Sequence, residues 1–118
     1  MPKYVPWSAV PLESLNPLLD RQFVFGQKIM LARIVLKKGC IVPEHSHVHE
    51  QLAYVLEGVL KFWIDGKEFV VSSGETLCIP SLMPHKVEAL EDTVNLDIFS
   101  PPREDWINKT DQYLRGKK

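Results

Sequence analysis

Proline and glycine interrupt this chain so often that no element can run long: nine prolines and six glycines fall among 118 residues. A proline fixes φ and removes a backbone donor, and a glycine invites reversal, so each shortens the helix or strand around it. The segments left between them are rich in Val, Ile, Leu, Phe and Tyr, which suit a pleated, half-buried surface. Eight such runs stand out: Gln22 to Phe25, Lys28 to Lys37, Leu52 to Glu57, Leu60 to Ile64, Glu68 to Val71, Glu75 to Ile79, Lys86 to Leu90 and Asn95 to Phe99. Asp65-Gly66 predicts a tight hairpin, because a type I′ turn needs positive φ at its central positions. Gly58 likewise separates two strands. No helical periodicity between the strands is long enough for a crossover, so the pattern argues against a βαβ sheet. It points to an all-β fold closed by antiparallel pairing, a sandwich or barrel.

The ends read differently. Pro6, Pro11 and Pro17 leave room for one helical turn within Ser8 to Leu19, and Trp7 with this proline-bearing segment is placed against a partner subunit. Pro101-Pro102 ends the last strand, and Glu104 to Leu114 is expected to form a short helix or an arm over the barrel. At 13.5 kDa the chain is expected to be one domain over residues 1–118, with a barrel core at about 22–103.

Fourteen Lys and Arg oppose fifteen Asp and Glu for a formal charge of −1, and the basic residues are scattered apart from Lys117 and Lys118. That balance argues against a nucleic-acid partner and against an anionic membrane surface. Ile29 to Ala32 is too short to span a bilayer and Met1 to Trp7 lacks the apolar core of a signal peptide, so a cytoplasmic location is expected. Cys40 and Cys78 allow at most one bridge and are expected to be reduced, mostly packed thiols.

All four histidines fall in two places, His45, His47 and His49 together and His85 alone after Pro80 and Pro84. Residues two apart in a strand share a face, so His45 and His47 are expected to aim their imidazoles at one point. Gln51 follows after a short interval in which a reversal would bring its oxygen to the same point, and Glu50 is its rival. His49 is expected to point elsewhere.

Gly39, His45, His47, Gln51 and Gly58 resemble the first motif of the cupin family, and Gly74, Pro80 and His85 resemble the second. Leu82 stands where the second motif has its middle glycine, and Ala89 where it ends in Asn. The resemblance spans roughly Ile29 to Arg103. It implies a small antiparallel jelly-roll β-barrel, one divalent metal held by His45, His47, Gln51 and His85, and a homodimer. Cupin sites place the fourth ligand four residues after the second histidine, which selects Gln51 over Glu50. Three imidazoles and an amide cancel none of a divalent ion's charge, so the site should be strongly Lewis acidic and less suited to oxygen-activating iron. An N₃O set accepts zinc, nickel, manganese, cobalt or iron.

Asp97 and Phe99 share a strand face by period two, and Pro101-Pro102 stiffens the chain that leads to Arg103. On residue type alone Asp97 suits a turn, Phe99 the core, and Arg103 a surface ion pair with Glu104 or Asp105. At this spacing, with the His-His-Gln-His set, the trio resembles the pectin-degradation cupins that act on 4,5-unsaturated uronates. That resemblance implies a cavity in which Asp97 moves a proton, Arg103 clamps a substrate carboxylate and Phe99 packs on the sugar ring. The expected function is ring-opening of an unsaturated uronate, a small carboxylated sugar from pectin or alginate breakdown. The alternatives are an isomerase or dioxygenase on another small carboxylate, and a non-catalytic sugar-binding module. Arg33 is left without an assigned face, and Tyr54 and Trp63 are read as barrel wall.

Overall fold

The computed structural model of this chain describes residues 2–111 and residue 114. Met1, the basic pair Lys117 and Lys118, and Gln112 and Tyr113 of the expected C-terminal segment lie outside those residues. Ten strands carry the fold: β1 Glu13–Asn16, β2 Leu19–Phe25, β3 Met30–Leu36, β4 Ile41–His45, β5 Glu50–Glu57, β6 Val59–Ile64, β7 Lys67–Ser72, β8 Thr76–Ile79, β9 His85–Ala89 and β10 Thr93–Ser100. A single helical turn, α1 Glu104–Ile107, follows the last strand. All pairings are antiparallel and make two sheets, one in the order β1-β2-β3-β10-β5-β8 and the other β4-β9-β6-β7.

Strict alternation fills the space between the sheets. In β3 Met30, Ala32, Ile34 and Leu36 turn inward, and they meet Leu60, Phe62 and Val87 from the other sheet in one apolar core. The antiparallel all-β packing expected from the strand rhythm is observed, in the jelly-roll form that the cupin resemblance implies.

All eight expected runs contain strands, and Asp65 (φ 52°) with Gly66 (φ 74°) makes the tight turn between β6 and β7. Two strands escaped the pattern. β1 follows a single 3-10 turn at Trp7–Ala9, which overlaps the segment read as room for one turn, and its Glu13 lies opposite Arg21 of β2. β4 contains Pro43, tolerated because β4 pairs only with β9 and its other edge needs no donor. The N-terminal segment is tied to the larger sheet: Gln22 Nε2 donates to the carbonyls of Trp7 and Val10, both at 2.9 Å. Cys40 is buried, Cys78 is exposed, and neither forms a disulfide.

Candidate functional site

Inward positions of β10 break the apolar rule of the core. Thr93, Asn95, Asp97 and Phe99 all turn inward and are buried, which puts three polar side chains inside the barrel. Polar groups there are costly unless they find partners, so a polar row in a core marks a place where chemistry has displaced packing.

The histidines converge on this row, though not by the route expected. His45 closes β4 opposite His85, the first residue of β9, while β4 ends before His47. The shared strand face expected for His45 and His47 is therefore absent, and a loop carries His47 back instead. That loop is pinned by Leu82 N–H donating to the His47 carbonyl at 2.8 Å and by Ser81 Oγ donating to Val48 O at 2.5 Å. The rings stand 4.3 Å (His45–His85), 5.2 Å (His47–His85) and 5.7 Å (His45–His47) apart, and one nitrogen from each lies within 4.8 Å of the others.

Backbone carbonyls decide which nitrogens face inward. His45 Nδ1 sits 2.8 Å from Pro43 O, His47 Nδ1 3.0 Å from His49 O and His85 Nδ1 2.9 Å from Met83 O. A carbonyl only accepts, so each Nδ1 carries the proton and each Nε2 keeps its lone pair. Burial and neighbouring charge hold the rings neutral, with His45 pushed down to about 3, His47 to about 4 and His85 also lowered.

Gln51 supplies the test of whether these residues suit a cation. Its Nε2 donates to Asp97 Oδ1 at 2.9 Å, which fixes the amide and turns Oε1 toward His47 Nε2 at 3.2 Å. Two acceptors thus face one another at hydrogen-bond distance with no proton for either to give. A divalent ion bound by both would turn that repulsion into attraction, so the donor set fits a metal. Glu50, the rival ligand, is exposed on the other side of the strand.

Asp97 receives a second donor at Oδ1, Asn95 Nδ2 at 2.9 Å. Burial raises its carboxyl to about 6 against the lowering effect of Asn95, Gln51 and Arg103, which leaves it largely ionised at neutral pH and able to exchange a proton. Arg103 is 2 % exposed and does pair with Asp105, through Nε at 2.9 Å and Nη2 at 2.7 Å, but as a buried group and not as a surface one. Its guanidinium lies 5.0 Å from the Phe99 ring centre and 4.7 Å from that of Trp106. Phe99 in turn touches His47 edge-on at 5.7 Å, so one aromatic ring separates the imidazoles from the guanidinium.

A cavity of about 60 Å³ is bordered by His45, Gln51, His85, Asn95, Asp97, Phe99 and Arg103. On the other side of His47 an open groove of about 620 Å³ runs past His49, Pro102 and Asp105. His49 therefore looks onto the groove and not toward the other histidines' meeting point, although its ring is 5.3 Å from His47. Arg33 faces outward, donating to Gln22 Oε1 at 3.4 Å, because Ala32 and Ile34 take the inward positions. Tyr54 and Trp63 also lie on outer faces, Trp63 with Lys61 and Lys86 each 5.0 Å from its ring centre.

Sequence reasoning missed Asn95 and Trp106. The signal for Asn95 was available, since it shares the period-two face of Asp97 and Phe99; Trp106 left none.

The family profile described as "Cupin domain" matches residues 32–100. The chain belongs to the cupin family. This cupin is 29% identical to the pectin degradation protein KdgF of Dickeya dadantii, over 91% of its own length and 100% of that protein's. It is 33% identical to an uncharacterized protein of Methanocaldococcus jannaschii over 63% of this chain and 60% of the other. Among solved structures, KdgF from a Halomonas species matches with a TM-score of 0.84 at 24% identity, covering 90% of this chain and 99% of that one, a likeness of fold. An RmlC-like cupin from Shewanella frigidimarina matches with a TM-score of 0.83 at 28% identity, covering 90% and 96%.

Proposed function

We propose that this cupin is a metal-dependent enzyme that opens the ring of a 4,5-unsaturated uronate, a small carboxylated sugar. One observation carries the reading: a proton-exchanging carboxylate, a buried guanidinium and two members, His45 and His85, of a histidine cluster whose lone pairs converge border one cavity. The similarity over nearly the whole chain to a protein named for pectin degradation points the same way.

His45, His47, His85 and Gln51 would hold the ion, zinc, nickel, manganese, cobalt or iron, and when bound it would supply Lewis acidity toward a sugar oxygen. The remaining work falls to the chain. Arg103, oriented by Asp105, places a fixed positive charge for the substrate carboxylate and so sets which face of the sugar meets Asp97. Asp97 takes the proton of the anomeric C1 hydroxyl as the bond between C1 and the ring oxygen breaks, which leaves an aldehyde at C1 and an enol at C4=C5, and it returns that proton to C4 to give the 5-keto form. The amides of Gln51 and Asn95 keep the carboxylate from rotating between these events. Phe99 supplies the apolar wall against which a sugar ring packs. A uronate is too large for the cavity alone, so its reacting end enters there and its remainder lies in the groove past His47.

The test follows ultraviolet absorbance of the conjugated double bond of an unsaturated galacturonate monomer, with metal-replete protein against a no-enzyme blank. Loss of absorbance faster than the blank, abolished by His45→Ala, is expected. No acceleration with any of the five metals overturns the reading.

We also propose that the cupin pairs with itself. Leu52, Tyr54 and Leu56 of β5 and Ile98 of β10, which sits opposite Leu52, line the outer face of the larger sheet and are each 38–43 % exposed. An elution volume of twice the chain mass, restored to the monomer's by Leu52→Glu, is expected.

A further inference from the structure

Asn95 is 3 % exposed and borders the cavity, yet only half of its amide is used. Its Nδ2 donates to Asp97, and because a carboxylate oxygen only accepts, the amide cannot be flipped without setting two oxygens against each other. The orientation is therefore determined, and it leaves Asn95 Oδ1 buried with no donor among the described residues. Nearby polar groups of the site are engaged: Gln51 Nε2 donates to Asp97, Arg103 bonds Asp105, and the Nδ1 atoms of His45, His47 and His85 each meet a carbonyl. A buried acceptor without a donor is unfavourable, and here it sits beside the reactive carboxylate. An incoming hydroxyl is the group that would relieve it.

We infer that Asn95 determines substrate specificity by accepting, at Oδ1, a hydrogen bond from a secondary hydroxyl of the sugar beside the carbon that Asp97 protonates. The two ends of one amide then do two jobs: Nδ2 steadies Asp97, and Oδ1 reads whether the neighbouring carbon carries a hydroxyl. A sugar lacking that hydroxyl leaves the acceptor unsatisfied and is rejected, whereas a purely apolar wall would tolerate it. The inference rests on the uronate reading above.

The experiment is a cycle between protein and substrate. kcat/KM is measured with the unsaturated galacturonate and with its 2-deoxy and 3-deoxy counterparts, for metal-replete wild type, Asn95→Leu and Asn95→Ala. Weakening of Asp97 by the lost Nδ2 bond lowers turnover of every substrate alike and cancels in the ratio, as does any unfolded fraction. Wild type should prefer the full substrate over the 3-deoxy sugar by about tenfold or more, because C3 is the hydroxyl-bearing carbon beside C4, and both variants should lose that preference. Activity on the full substrate with a preference that survives in the two variants overturns the role of Asn95 alone, as does a wild type indifferent to the 3-hydroxyl. A wild type inactive on all three sugars overturns the uronate reading itself, and this inference with it.

Discussion

Asp97 and Arg103 border the same cavity but should fail differently when removed. Asp97→Ala deletes the proton carrier and should lower kcat by roughly 10²–10⁴-fold with little change in KM. Arg103→Ala deletes a binding charge and should mainly raise KM, by about tenfold or more. Steady-state kinetics separates the two, and equal, negligible effects would remove both from the site. The imidazoles make a second prediction, for protein kept metal-free with a chelator. His45 and His47 have their protonation depressed from 6.5 to about 3 and 4, so below pH 6.5 the unfolded chain binds protons that the folded one refuses. Stability should then fall as pH drops from 6.5. Asp97, raised from 3.8 to about 6, works in the opposite sense between those values, one carboxylate against three rings. Urea midpoints at pH 7 and pH 5 check this, and a midpoint that rises toward pH 5 would contradict it. The histidines were legible in sequence because they cluster in number and order. The bond that ties Gln51 to Asp97 was not, because the two are 46 residues apart and no local pattern joins them.

At the scale of elements, the corners carry the constraint. Gly58 has φ 99° where the chain leaves one sheet for the other, and a side-chain carbon there would overlap Asp92 O and Thr93 Oγ1 and come within 2.7 Å of Thr93 Cα. Gly58→Ala should cost roughly 3 kcal/mol, read as a fall in melting temperature. Leu82 is the reverse case: it holds φ 67° with its side chain 61 % exposed, in the turn that braces the His47 loop. Leu82→Gly should stabilise by up to about 1 kcal/mol, since relief of the left-handed strain outweighs the lost flexibility of the unfolded chain. Leu82 stands where the motif has a glycine, and the backbone kept the glycine's conformation. Hairpins such as Asp65-Gly66 could be read directly because their signal is local. β4 could not, because Pro43 reads as a breaker until one knows that its strand lies at an edge.

Across the whole molecule, the two ends of the chain are joined beneath the site. Arg21, fully buried, bonds Glu13 of β1 through Nε at 3.0 Å and Asp111 beyond α1 through Nη1 at 2.6 Å, and it lies 4.3 Å from the Trp106 ring centre. Arg103 rests against the same Trp106. Arg21→Met removes the guanidinium partner of a buried carboxylate and should cost roughly 3–5 kcal/mol, with part of the loss recovered in Arg21→Met/Asp111→Leu. Denaturant unfolding of the three proteins decides it. This tie was invisible beforehand, since its members lie 90 residues apart.

The position of β10 also has a consequence for how the protein is made. Among the described residues it is the last strand, followed only by α1, yet it sits between β3 and β5 and supplies the ladder that both require. While the chain is still emerging from a ribosome, β3 and β5 present unpaired edges with nothing to zip them together. This late strand of the barrel is therefore the keystone, and it brings Asn95, Asp97 and Phe99 with it, so the barrel and its reactive row come into being together.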